Sequence, residues 1–317
     1  MDAIIGHTGF VGGQLAKQHV FEARFNTSNI DDALGCQFST VVCAAAPGSM
    51  FEANRFPELD AERIGRLINH LSTIKAQHFV LISTIAVLEG PADQVDELTD
   101  RFESDKAYGK NRRRLEIFCS NHFKSCQVLR LPALFGHGLR KNFIFDLHHP
   151  APSMLTKALY EKVSSSVPSE MSRVLAGVYE WDANLSVHKI NRGALTESGK
   201  RHELEAALIE SELSAVQFTN PETTYQFYNI DRLWSDIGVA RRDGIRMLHL
   251  AMEPIMASKI HEDLLGRPMP ANTAPMHREN MWTRYSGSWG RSGHYLDGSH
   301  NILALLKTFY RNEKCSG

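Results

Sequence analysis

The strongest constraint on this chain is a turn of spaced glycines, Gly6-His7-Thr8-Gly9-Phe10-Val11-Gly12, set between a short apolar run and a helical pattern. Met1 to Ile5 reads as a strand, and Phe10 to His19 as a helix with Phe10, Val11 and Leu15 on its apolar face. Each glycine has a physical reason. Gly6 permits the tight turn, Gly9 lets the backbone come close to a pyrophosphate, and Gly12 lets helix and strand pack closely. The start of the helix then offers free N–H groups and a partial positive charge to phosphate oxygens. The turn predicts a dinucleotide site. The plain alternative is a structural turn that only joins strand to helix.

Beyond the turn, buried runs alternate with helical periods, as in a parallel sheet covered by helices. Val20 to Phe25, Thr40 to Ala46, Phe79 to Ser83 and Gln127 to Leu131 read as strands. Leu59 to Ala76 carries Ile64, Leu67, Ile68, Leu71 and Ile74 at helical spacing, and Tyr108 to Phe123 is a second helix. After about Asn142 the rhythm changes: Glu203 to Leu213 is helical, while Glu180 to Gly193 is polar and turn-rich. Tyr225 to Ile237 and then Ile245 to Ala251 read as a helix and strand returning to the sheet. Asn272 to Gly293 reads as irregular surface, and Ile302 to Tyr310 as a last helix. The expected fold is α/β, a Rossmann-type doubly wound parallel sheet with a smaller C-terminal substrate domain. Residues 1–145 with 218–257 would form the dinucleotide-binding domain, and 146–217 with 258–317 the substrate-binding domain.

Composition removes several classes. A net charge of −1 without a basic stripe argues against nucleic acid as a partner. No run approaches the roughly 18 to 20 apolar residues of a membrane span. The five cysteines, Cys36, Cys43, Cys119, Cys126 and Cys315, are odd in number and form no CxxC pair, which points to reduced thiols. With no signal-peptide pattern at the start, the expected location is cytoplasmic. The fifteen histidines show neither HExxH nor tight Cys/His spacing, so no metal is expected.

The end of the second strand bears on which dinucleotide fits. NAD-preferring sites often place Asp or Glu there, against the ribose 2′-hydroxyl. This chain has Asn26-Thr27-Ser28-Asn29, no carboxylate until Asp31, and Arg24 as the nearest cation. NAD(P) is expected, with a lean to NADP.

GHTGFVG, LISTIAV, AYGKNRRRLE and LRLPALFG, in this order, resemble the extended short-chain dehydrogenase/reductases, which include sugar-nucleotide epimerases, dehydratases and reductases. The resemblance covers residues 1 to 142 closely and continues loosely from Tyr225 to Pro254. It implies Tyr108 as proton donor or acceptor and Thr84 as the hydroxyl that orients the substrate, with Ser83 as second candidate for that role. It places cofactor contacts at Gly6, Thr8, Gly9, Phe10, Val11, Gly12, Asn26, Ser28, Ala44, Ala45, Arg112, Leu131 and Pro132.

One position departs from the family, which has Lys four residues after the Tyr where this chain has Arg112. Residues i and i+4 share a helix face, and a cation there lowers the pKa of the phenol. Lys110, only two residues on, points about 200° round the helix and is a poor substitute. Arg112 is expected to tune Tyr108 and bond the nicotinamide ribose, though a guanidinium fork is not an ammonium. Arg113 should point elsewhere, on a solvated face.

Dehydratases of the family carry an Asp-Glu pair beside the hydroxyl, whereas Ile85 and Ala86 follow Thr84. Reduction or epimerisation of a sugar nucleotide or similar small molecule is the implied chemistry. Ala133 stands where epimerases often have a substrate-binding Asn; Lys141 and Asn142 are candidates for an anionic group of the substrate. Arg284, Tyr285 and Trp289 fit a grip on a base or sugar, or plain loop packing. The resemblance also implies a homodimer. The alternative, favoured by Arg112 and Ala133, is a dinucleotide-binding regulator or scaffold that keeps the fold without the chemistry.

Overall fold

Short apolar runs buried on both faces build the centre of the protein. The computed structural model describes residues 1–316, with side chains as far as Glu313. β1 (Asp2–Ile5) passes through the glycine turn into α1 (Phe10–Gln18), then β2 (Ala23–Phe25) and β3 (Gln37–Cys43). Next come α2 (Met50–Arg55), α3 (Pro57–Leu71), β4 (Lys75–Thr84), α4 (Ala107–His122), β5 (Cys126–Leu131) and β6 (Ala133–Phe135). Five of these strands and the later strand Met247–His249 form a six-stranded sheet, ordered Met247–His249, β5, β4, β3, β1, β2, all parallel. β6 lies outside it and pairs with Phe227–Asn229.

Ala3, Ile5, Val41, Cys43, Phe79, Leu81 and Val128 project to one face, packed with Ile64, Leu67 and Leu71 of α3 and Leu115 and Cys119 of α4. Their neighbours Ile4, Val42, Val80 and Leu129 alternate to the opposite face and are equally buried. Burial on both faces is why these strands read as continuous apolar runs. The architecture is a Rossmann-type α/β fold. From β1 the chain goes to β2 on one side and β3 on the other, so the order reverses between β1 and β3. Crevices beyond the carboxyl ends of strands at such a reversal are where α/β sheets hold ligands. The glycine turn leaves β1 at that place.

The chain divides into two compact units. The first comprises Met1–Leu139, Thr224–Ile255 and Arg278–Phe309; the second Arg140–Thr223, Met256–His277 and the chain from Tyr310 on. Residues 278–309, grouped by the sequence reading with the second domain, fall in the first unit. The second unit has its own core, including Leu155, Val163, Leu175, Tyr179, Leu204 and Leu208.

Local expectations are corrected in four places. The helix read over Leu59 to Ala76 ends at Leu71, and Lys75 already opens β4. The strand read from Val20 begins only at Ala23. Tyr225 to Ile237 is not one helix: Phe227–Asn229 is a strand, and the helix is Leu233–Arg242. Glu180 to Gly193 contains a hairpin, Tyr179–Asp182 against Val187–Ile190, with Trp181 opposite His188. Its strands are short and half-solvated, so their side chains carry no apolar run to read.

A buried polar network braces the sheet. Arg130 of β5 donates twice to Glu116 of α4, at 3.0 and 2.8 Å, and once to His249 Nε2 at 2.9 Å. His249 Nδ1 faces the Trp282 carbonyl at 2.9 Å, so the ring is neutral with its proton on Nδ1. Burial, with the nearby Arg130 charge, pushes the imidazole down to about 4. The unfolded chain takes up this proton near pH 6.5, so the stability it represents is complete above that pH and drains away toward 4. We expect a loss on the order of 3 kcal/mol across that window. His249→Gln, which keeps an acceptor for Arg130, should flatten the pH dependence of the urea midpoint; an unchanged slope would refute the account.

Cys36, Cys43, Cys119 and Cys126 are free thiols. Burial raises Cys43 to about 11 and Cys126 to about 12, which makes both poor nucleophiles. The Cys315 side chain lies outside the described residues. No described helix is long and apolar enough to cross a membrane.

Candidate functional site

The glycine turn is sterically determined at two of its three glycines. Gly6 has φ +92°, and a Cβ there would lie 2.6 Å from the Ala44 carbonyl oxygen and 2.8 Å from Ala45 Cα. A Cβ on Gly12 would sit 2.1 Å from the Gly6 oxygen. At Gly9 the only neighbour is that same oxygen at 3.5 Å, so the turn is open on this side. Gly9 is the N-cap of α1; it offers no side-chain cap, and the first turn holds no carboxylate. The N–H groups of the first turn, at Phe10 and Val11, are left for an external acceptor. An exposed Thr8 borders them. This cradle fits a dinucleotide pyrophosphate.

At the end of β2, His7 Nδ1 lies 3.0 Å from the Phe25 carbonyl. The Asn26 carboxamide oxygen accepts from Ser28 N at 2.8 Å and Ser28 Oγ at 2.6 Å. Asn29 in turn accepts from Asn26 N and donates to the Arg24 carbonyl. The loop is thus held by its own amides, with Thr27, Ser28 and the Arg24 side chain exposed.

Tyr108 opens α4. Its backbone N–H is capped by the Asn54 carboxamide oxygen of α2 at 3.0 Å. Gly109 allows α4 to sit hard against the turn that follows β4: a Cβ there would be 2.0 Å from the Ala86 oxygen. This close approach sets the phenol beside the Thr84 hydroxyl, which acts to lower its pKa, while Thr84 Oγ1 accepts from Ala86 N at 3.2 Å. Tyr108 and Thr84 are therefore brought together as the sequence implied. Ser83 is not a partner in this site. Its hydroxyl turns inward and donates to Glu116 at 2.6 Å, because successive residues of a strand face opposite sides.

Arg112 is where geometry departs most from expectation. The side chain is 3% exposed, and its guanidinium carbon lies 4.0 Å from the centre of the Tyr108 ring. Nη1 donates to Asp60 Oδ2 at 2.5 Å and to the Tyr108 carbonyl at 3.2 Å, and Nη2 donates to the Pro47 carbonyl at 2.5 Å. The terminal nitrogens expected to reach a ribose are thus committed to the protein, and buried Nε has no acceptor. Asp60, on α3, also accepts from Asn111 at 2.8 Å. The tuning of Tyr108 by Arg112 runs in the expected direction but is outweighed. Burial raises the phenol above its ordinary value, the Arg112 guanidinium and the Thr84 hydroxyl act to lower it, and Asp60 adds to the rise. Arg113 is no solvated residue: it pairs with Glu116 at 2.9 Å and lies over the Phe102 ring at 3.7 Å.

The segment after β3 ties the two halves of the site together. Ala44 and Ala45 crowd Gly6, and the Pro47 carbonyl holds Arg112. Asp60, Asn54, Pro47 and Gly109 are the site residues the sequence reading missed. Only Gly109 left a signal, as a poor helix former directly after the tyrosine.

Leu131 and Pro132 are buried at the end of β5, and Ala133 sits on β6 opposite Phe227. Lys141 and Asn142 belong to the second unit. Asn142 is engaged in structure, its oxygen capping the helix Phe143–His148 by accepting from Ile144 N and Phe145 N. Trp289 donates to Asp236 at 2.8 Å and Arg284 N donates to Glu97, which is loop packing.

No family model matches the chain, and no curated protein matches it in sequence. Solved structures do match in fold. A mutant UDP-glucuronic acid 4-epimerase from Bacillus cereus, in complex with UDP-4-deoxy-4-fluoro-glucuronic acid and NAD, is 11% identical with TM-score 0.59, covering 98% of each chain. RMD from Pseudomonas aeruginosa, complexed with NADPH, is 12% identical with TM-score 0.59, covering 99% of each chain. A dTDP-4-dehydrorhamnose reductase from Yersinia enterocolitica is 12% identical with TM-score 0.54, covering 98% of each. The protein shares the fold of these proteins over nearly its whole length.

Proposed function

We propose that this protein is an NAD(P)-dependent oxidoreductase or epimerase of the extended short-chain dehydrogenase/reductase family, acting on a carbonyl or hydroxyl carbon of a sugar nucleotide or similar polar metabolite. The observation that carries the reading is the Tyr108 phenol set beside the Thr84 hydroxyl, on a helix tied to the glycine turn through Ala44–Pro47. When bound, a nicotinamide supplies or accepts the hydride. Tyr108 moves the proton at the substrate oxygen, and Thr84 holds that oxygen in place. The first turn of α1 takes the pyrophosphate, with Ala44, Ala45, Leu131 and Pro132 beside the dinucleotide. Substrate binding falls to the second unit, with Lys141 as a candidate for an anionic group. The absence of a carboxylate in Asn26–Asn29 supports NADP over NAD. A homodimer in the cytoplasm completes the reading.

The experiment is a fluorescence titration of the protein with NADPH and with NADH, repeated on Gly12→Ala. Tight binding of NADPH, weaker binding of NADH and at least roughly tenfold weaker binding by the variant are expected, since a Cβ forces α1 off the turn. No binding of either nucleotide would overturn the proposal.

A further inference from the structure

Arg112 and Asp60 form an ion pair that is almost wholly out of water, the two side chains 3% and 4% exposed. Such a pair is costly to bury, and removing one partner leaves an uncompensated charge. The Arg112 guanidinium lies over the aromatic face of Tyr108, its central carbon 4.0 Å from the ring centre. The groups that face the phenol are Asp60 from α3, Arg112 from its own helix and Thr84 from the end of β4. Asn54 of α2 is neutral and meets only the backbone. A lone guanidinium in this position would favour phenolate, as a cation does beside any acid. Here its charge is met at 2.5 Å by a carboxylate, and three of its N–H bonds are held by Asp60, the Tyr108 carbonyl and the Pro47 carbonyl.

We propose that Asp60, by offsetting part of the Arg112 charge beneath the ring, acts with burial to keep Tyr108 a neutral phenol and so sets this site to give a proton to a substrate carbonyl rather than to take one from an alcohol. The inference rests on the proposed function and narrows it to reduction. Epimerisation through a keto intermediate starts by removing a hydroxyl proton, which needs phenolate. Reduction starts from phenol. In that step the Tyr108 O–H bond breaks and its proton goes to the substrate oxygen, as the carbonyl carbon gains a hydride from a reduced nicotinamide. The substrate gains two electrons, the nicotinamide loses two, and the phenolate regains a proton from water. Burial of the phenol, which raises its pKa, acts in the same direction.

The test needs no cofactor. Ultraviolet difference titration of the parent against Tyr108→Phe isolates the ionisation of this one phenol. We expect it above the ordinary tyrosine range. Asp60→Asn should shift it to lower pH, by about tenfold in ionisation constant, and Arg112→Gln should shift it to higher pH. The double variant, with neither charge, should return close to the parent. No shift in Asp60→Asn, or a shift that Arg112→Gln does not reverse, overturns the proposal. Where a single variant leaves a buried charge and does not fold, the parent titration decides: ionisation at or below neutral pH is equally fatal. Nucleotide binding fails or succeeds independently, so loss of the proposed function and loss of this inference are told apart.

Discussion

Replacing Tyr108 with Phe should lower kcat by roughly 100- to 10,000-fold, the usual contribution of a positioned general acid, and leave NADPH affinity near that of the parent. The phenol oxygen is the one polar atom that the substitution removes. The ring itself, which supports the Arg112 guanidinium at 4.0 Å, remains, so the Asp60–Arg112 pair and the seat of α4 are kept. The glycine turn is a separate structural unit, made by Gly6, Gly12 and the backbone of Ala44–Ala45. Loss of turnover with binding retained is therefore the expected split, measured by steady-state kinetics beside a nucleotide titration. Turnover equal to the parent would remove Tyr108 from the chemistry. Thr84→Val should show a smaller loss, because it orients the oxygen and transfers no proton.

The parts of this arrangement that can be read from sequence are those with a local cause. The glycine turn is legible because three glycines fall within seven residues between a strand and a helix, and the structure shows at two of them the clash that only glycine avoids. The parallel strands are legible because burial on both faces leaves unbroken apolar runs. Tyr108 and Thr84 are legible through order and spacing. The illegible parts have a non-local cause. Asp60 lies 52 positions from Arg112, and nothing in Pro-Glu-Leu-Asp distinguishes a buried counter-ion from an ordinary acidic residue in the first turn of a helix. For the same reason the setting of Arg112 is hidden: it acts to lower the phenol as expected, but burial outweighs it and Asp60 opposes it. Spacing alone gives its direction on the helix, whereas its effect on the phenol depends on the carboxylate facing it from another element. Ser83 reads as a site hydroxyl only because Glu116, its true acceptor, lies 33 positions away.

That acceptor carries the second large effect. Glu116→Ala should cost roughly 3 to 5 kcal/mol of stability, as expected when one member of a buried ion pair is removed. Glu116 is fully buried and accepts twice from Arg130, once from Ser83 and once from Arg113. Burial by itself would raise its pKa, but the hydrogen bonds and charge of Arg130, with Ser83 and Arg113, bring it below the ordinary carboxylate range. It is therefore ionised in the folded protein at neutral pH, and its contribution is present above the unfolded value and lost as pH falls through the folded one. Deleting it leaves Arg130, 1% exposed, with the neutral His249 as its remaining side-chain acceptor and no counter-charge in contact. Replacing both ends, Glu116→Met with Arg130→Leu, removes the orphaned charge and should recover most of the loss. Urea unfolding of the two single variants and the pair gives the coupling directly. If the pair is as unstable as the sum of its singles, the ion pair is not what holds α4 to β5, and the position of Tyr108 on that helix needs another explanation.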